Sequence, residues 1–112
     1  MAAMTTVLTE FSNIGNSRTS TTSGHTAVKP KVVIEKRRVP EGNQVIVEYA
    51  MKVVHATVDA DGVILGNKVS FEVVTRYPLA GVSADRDAAL AIFRDIIAGD
   101  EFANSVNTQE WL

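Results

Sequence analysis

The stretch from residue 31 to residue 58 reads KVVIEKRRV, then PEGN, then QVIVEYAMKVVHATV. Both arms are rich in β-branched and aromatic residues, which suit a pleated, half-buried surface. Pro40 pre-sets its φ and Gly42 tolerates a positive one, so Pro40-Glu41-Gly42-Asn43 predicts a turn between two strands. In the second arm Val45, Val47, Tyr49, Met51 and Val53 alternate with Gln44, Ile46, Glu48, Ala50 and Lys52. That period of two predicts one dry face and one mostly wet face. In the first arm Val32 and Ile34 share a face, and Lys31, Val33, Glu35 and Arg37 share the opposite one, which is assigned to the wet side.

Working outward, Lys68 to Tyr77 predicts a third long strand. Val69, Phe71, Val73 and Tyr77 line one side; Lys68, Ser70, Glu72, Val74 and Arg76 line the other. Pro78 is expected to end it. The second strand is expected to run from Gln44 to about Val58, and Asp59 to Asn67 opens a loop. Upstream, Thr5 to Phe11 and Arg18 to Thr22 flank a turn signal at Asn13-Ile14-Gly15-Asn16, which predicts a small hairpin. The polar, Ser/Thr-rich stretch from Ser12 to Thr26 is expected to be a solvated hairpin or a mobile loop.

After Pro78 the period changes. Ser83 or Asp85 is placed to cap a helix, and Asp85 and Asp87 sit where a helix N-terminus favours negative charge. Ala89, Leu90, Phe93, Ile96 and Ile97 recur at helical spacing and make one apolar stripe. Gly99 is the expected left-handed terminator. A second helix, Asp100 to about Val106, offers Phe102 and Val106. The sequence closes on Glu110-Trp111-Leu112, whose indole needs a surface to lie on.

The predicted fold is α+β: an N-terminal β-hairpin (5–22), an antiparallel sheet (31–77) and two C-terminal helices (83–107). The 112 residues fit one domain. One helix and one short helix cover too little of the sheet's dry face, so a partner chain supplying its own helices is expected.

Several function classes lose their footing here. There are no cysteines, which removes a disulfide framework, thiol catalysis and Cys-ligated zinc. The net charge of −2 gives no global attraction to nucleic acid, so any such binding must come from a local patch. No apolar run reaches the length of a membrane span, and MAAMTTVLTEF lacks the basic and apolar regions of a signal peptide. Asp59-Ala60-Asp61-Gly62 lacks the spacing and closing glutamate of a calcium loop. His25 and His55 stand apart with no ligand cluster, so each is taken as a structural or surface histidine. Glu35 and Glu48 are a candidate carboxylate pair, but an open sheet face offers acid–base catalysis no pocket. No cofactor, metal or enzymatic activity is expected.

With the elements placed, the chain resembles the coat proteins of small positive-strand RNA bacteriophages of the levivirus type. The stretch from Thr6-Val7-Leu8-Thr9 to Phe11 with Ser12-Asn13-Ile14-Gly15 looks like the N-terminal hairpin. KVVIEKRRVPEGNQVIVEYAMKVV looks like the two central strands. VSFEVVTRYP, then SADRDAALAIFRDIIAGDEFANSV, looks like the last strand, its break and the paired helices. The likeness lies in order and spacing rather than in one motif, and it runs from Thr5 onward.

The resemblance implies an interlocked homodimer. Two sheets join edge to edge into one continuous sheet, and each subunit's helices cross onto its twin, Leu90, Phe93, Ile96, Ile97 and Phe102 forming the dimer interface. Dimers then build an icosahedral T=3 shell around the single-stranded RNA genome in the bacterial cytoplasm, with the phage maturation protein as a further partner and the virion as the final location. The loop carrying Asp59, Asp61, Gly62, Gly66 and Asn67 corresponds to the inter-dimer loop, which takes several shapes, Gly62 and Gly66 giving it that freedom. The wet sheet face looks inward, where an RNA hairpin binds, marking the genome for packaging and repressing translation.

On that face the candidate RNA-binding residues are Lys31, Arg37, Gln44, Lys52, Lys68, Ser70 and Arg76. Lysine and arginine neutralise phosphates, and each such contact steepens the loss of affinity with salt. The chain departs from the family in two respects. The Ser12–Lys31 region is short. Glu35, Glu48 and Glu72 also sit among the basic residues, and Ser70 stands where some relatives place a base-stacking tyrosine. Read without the resemblance, the same alternation describes a solvated sheet face, and a non-viral dimeric module binding RNA or peptide is the rival.

Overall fold

The computed structural model describes residues 3–40, 42 and 45–112. Glu41 and Asn43 of the central turn and the candidate Gln44 lie outside the described residues. Five strands are followed by two helices. The strands are β1 (Thr9–Ile14), β2 (Ser17–Thr21), β3 (Lys31–Arg38), β4 (Ile46–His55) and β5 (Val69–Pro78); the helices are α1 (Ser83–Ala98) and α2 (Asp100–Thr108). The predicted α+β order therefore holds. The strands form one sheet in the order β1-β2-β3-β4-β5, so every strand neighbours its successor in sequence. The chain divides into two compact units, one ending at Arg76 and the other beginning at Tyr77.

In the sheet unit the hairpin is part of the main sheet. β2 pairs antiparallel with β3 from Ser17–Lys36 to Thr21–Val32, and the Arg37 N–H donates to the Asn16 carbonyl at 2.9 Å. The hairpin turn sits at Gly15-Asn16, two residues later than the Asn13 signal, because Asn13 and Ile14 continue β1 and Gly15 supplies the positive φ (59°). The register shifts between Glu10 and Ser12, leaving Phe11 as the extra residue of a bulge.

The Ser/Thr-rich stretch is more ordered than its composition predicts. Half of it pairs as β1 and β2. The connection to β3 is pinned at its end, where Thr22 N–H donates to the Lys31 carbonyl (3.0 Å) and Lys31 N–H donates to His25 Nδ1 (3.0 Å). The Phe11 and His25 rings lie 6.1 Å apart. His25 is thus structural, as expected.

The segment after β4 is also tied down. β4 stops at His55 rather than Val58. Val58 and Ile64 form an isolated antiparallel bridge. Asp59 Oδ1 accepts from the Asp61 and Val63 amides at 2.9 and 3.0 Å, and the Asp59 N–H donates to the Val63 carbonyl at 2.9 Å. Gly62 adopts φ 83° within this turn, so it serves a closed, side-chain-locked turn rather than general looseness.

The helical unit differs from expectation at its boundaries. Val82, not Ser83 or Asp85, is the N-cap of α1, and no side chain caps it. Ser83 instead occupies the first helical position. Gly99 is extended (φ −79°, ψ 153°) and ends α1 while starting α2. One residue shared between two helices must redirect the chain, which an αL cap followed by loop would not do here. The left-handed position belongs to Gln109 (φ 60°), after α2, which runs two residues beyond Val106. Neither helix has a buried residue. Leu90, Phe93, Ile96 and Ile97 keep 48%, 44%, 40% and 42% of their surface exposed. Among the described residues Val33, 5% exposed, is the one buried hydrophobic side chain.

Candidate nucleic-acid interface

Strand register decides which side chains meet. Residues directly opposed in an antiparallel pair point to the same side of the sheet. β3 opposes β4 as Lys31–His55, Val33–Val53, Glu35–Met51 and Arg37–Tyr49, alternating with Val32–Val54, Ile34–Lys52, Lys36–Ala50 and Arg38–Glu48. The first set makes a face that we call the tyrosine face; the second makes the lysine face.

This register corrects the face assigned to β3. Lys31 and Arg37 lie on the tyrosine face, with Met51 and Val53, and not beside Lys52. The physical reason is that period two leaves two equally regular ways to align two strands, and a one-residue slip exchanges the faces. Val32 and Ile34 therefore accompany Lys52, while Val33, nearly fully buried, accompanies Met51 and Val53.

The lysine face carries Lys36, Arg38 and Lys52 from β3 and β4. β5 adds Arg76, whose Nε lies 3.5 Å from Glu48 Oε2. Alternation along β5 then places Ser70 and Glu72 on the same side as Arg76, and Glu72 lines a shallow depression with Ile34, Lys36 and Lys52. β2 contributes Thr19, opposite Ile34, and Thr21, opposite Val32. Of the seven sequence candidates, Lys52, Ser70 and Arg76 are brought together. Lys68 precedes β5, Gln44 is outside the described residues, and Lys31 and Arg37 face the other way.

Lys36 and Arg38 are the residues that sequence reasoning missed. The signal lay in the LysArgArg run, whose alternation splits it across both faces. Its two ends, not its middle, belong with Lys52. Their environment is basic but tempered. Glu48 sits opposite Arg38 and against Arg76, and Glu72 sits beside Lys36 and Lys52. Four cations against two carboxylates leave a positive surplus on one face of a chain whose total charge is −2, the local patch that phosphate binding needs.

The tyrosine face is a different chemical surface. Tyr49 donates its hydroxyl to Glu35 Oε2 at 2.6 Å. Burial, then the hydrogen bond to Glu35 and the negative charge of that carboxylate, push the Tyr49 phenol up to about 12. Asn13 and Arg18 both reach Glu10 Oε1, at 3.2 and 3.5 Å. Glu35 is thus a partner of Tyr49, and Glu48, on the opposite face, is not its carboxylate pair. Among the described residues no group of three or more His, Asp or Glu side chains is placed to hold a metal ion, and no helix is long and apolar enough to cross a membrane.

Neither a protein-family model nor a curated protein matches the sequence. Solved structures do match. The virus-like particle of Wenzhou levi-like virus 4 superposes with a TM-score of 0.82 at 14% identity, over 96% of this chain and 79% of that one. The virus-like particle of Beihai levi-like virus 32 gives 0.77 at 14% identity, over 98% and 90%. This is the fold of levi-like particle subunits. The bacteriophage EMS014 coat protein shares it too, with a TM-score of 0.62 at 14% identity over 89% and 77% of the two chains. At such identities the levi-like fold is held by strand order, hairpin and paired helices while most side chains have changed.

Proposed function

We propose that this protein is a structural capsid subunit: it dimerises, assembles into a closed icosahedral shell, and encloses single-stranded RNA against the lysine face of its sheet. The observation that carries this is the likeness of fold, end to end, to subunits of levi-like virus particles. The exposed helical stripe supports the dimer. A groove in the helical unit is lined by Phe93, Ile96, Ile97 and Phe102, side chains whose burial stabilises by about 1.5–3 kcal/mol each. A twin's sheet is the cover they lack. β5 ends the sheet with an unpaired edge, and pairing it with the same edge of a twin removes an aggregation hazard. The working location is the virion, after assembly in the host cytoplasm, with the maturation protein as a minor component of the shell.

For the RNA, Lys36, Arg38, Lys52 and Arg76 supply phosphate contacts, and Thr19, Thr21 and Ser70 supply hydroxyls. Binding a hairpin there would join packaging to translational repression. Expression of the chain followed by negative-stain microscopy and nuclease treatment tests the proposal. Uniform hollow spheres holding nuclease-protected RNA are expected. A monodisperse small species at all concentrations, with no protected RNA, would overturn it.

A further inference from the structure

The register sorts the aromatic rings of the sheet onto one side. Tyr49 opposes Arg37 and His55 opposes Lys31, both on the tyrosine face. Along β5, Phe71 and Tyr77 alternate with Ser70 and Arg76, which share the side of Glu48. The Phe11 ring of β1 lies beside that of His25. Among the described residues, β2 to β5 therefore present no aromatic ring on the lysine face. Proteins that hold unpaired bases stack them on such rings, and this face has none to offer.

What it offers instead is a hydroxyl near each lysine. Ser17 stands directly across from Lys36. Thr19 stands across from Ile34, whose other neighbour is Lys52. Thr21 of β2 and Ser12 of β1 lie on the same side. Neighbouring strands are about 4.8 Å apart, so each lysine is one or two strands from a hydroxyl. Along β2 these hydroxyls recur every second residue, about 6.7 Å apart, close to the step between successive sugars on an RNA strand. No carboxylate interrupts this half of the face. Glu10 and Arg18, the charges of the hairpin, point to the other side and pair with each other at 3.5 Å.

We propose that the lysine face grips the ribose–phosphate chain and not the bases. Lys36 and Lys52 take phosphates, Ser17, Thr19 and Thr21 take 2′-hydroxyls, and the subunit selects RNA over DNA without reading sequence. This rests on the RNA-binding role proposed for the same face and adds what that face recognises. A lysine is a point charge that any phosphate satisfies. Contacts to phosphate and sugar position a nucleic acid but carry no sequence information, and the 2′-hydroxyl is the group by which a protein tells RNA from DNA. A hairpin bound here is held by its backbone, whatever its sequence.

The test uses the full-length protein and a pool of RNA hairpins randomised in stem and loop, with the bound fraction sequenced. No sequence should be enriched more than about threefold, whereas reading even one base would enrich its sequences about tenfold. The matching DNA hairpin pool should bind about tenfold more weakly than the RNA pool, the loss expected when several hydroxyl contacts go unmade. Thr19→Val combined with Thr21→Val keeps the β-branched shape, and it should bring RNA and DNA together with the salt slope unchanged. Thr19→Ser combined with Thr21→Ser should keep the difference, which a merely structural role would not require. Lys52→Ala should lower the salt slope by about one contact and leave the ratio alone. An enriched RNA sequence, equal binding of RNA and DNA by the unaltered protein, or a ratio untouched by the valines overturns the inference while RNA binding stands. Failure to hold either pool at low salt overturns the RNA-binding role as well.

Discussion

Tyr49 and Asp59 each do a job that their residue type alone does not announce. Tyr49 is part of an apolar alternation, yet its hydroxyl is committed to Glu35 at 2.6 Å. Its phenol, raised to about 12 by burial and then by Glu35, gives a signed prediction. A folded-state pKa above the unfolded value contributes stability that is complete below pH 10 and fades as pH rises toward 12. Spectrophotometric titration should therefore show one late tyrosine, and Glu35→Gln should bring that transition earlier. An unchanged late transition in Glu35→Gln would assign the shift to burial alone. At Asp59, two amides share one carboxylate oxygen. Asp59→Ala should loosen the 59–63 turn by about 1–2 kcal/mol, the usual worth of hydrogen bonds to an exposed charged acceptor. Amide exchange at Asp61 and Val63 should rise accordingly, with β3 and β4 unaffected.

At the scale of the element, β3 is the informative strand because it carries cations on both faces. Arg38 and Lys36 share the lysine face with Lys52, and Arg37 does not. Arg38→Ala should weaken RNA binding and lower the salt slope by about one phosphate contact. Arg37→Ala should leave both unchanged. Filter binding across a salt series checks this, and equal losses in the two variants would mean that the faces are not chemically distinct toward RNA. The turn at Asp59 and the pinned connection before β3 show the same principle in loops. Composition alone describes both as polar and open, but local side-chain hydrogen bonds give them one shape.

For the whole molecule, the decisive fact is how little apolar surface the chain covers by itself. Neither helix buries a residue, and one hydrophobic side chain among those described is buried. A protein whose core is completed by association has a melting temperature that rises with its concentration. That rise should appear across a hundredfold dilution series. Phe93→Asp, which would place an unpartnered charge in the contact, should abolish both the rise and the dimer in gel filtration. A concentration-independent melt in the wild-type protein would show a self-sufficient monomer.

Much of this was legible in the residues themselves. Alternation marked β3, β4 and β5, the change to helical spacing after Pro78 marked α1, and their order marked the fold class. Those signals are local: they depend on side-chain direction within one element, which the backbone period fixes. The register between β3 and β4 is not local. Each strand has two well-formed faces, and the sequence contains no mark saying which face of one belongs with which face of the other. Cross-strand hydrogen bonding made that choice, setting Val33 against Val53 and Lys36 with Lys52 on the other side. Tertiary structure alone therefore placed Lys36 and Arg38 on the face of Lys52 and Arg37 on the other, in a cleft with Tyr49.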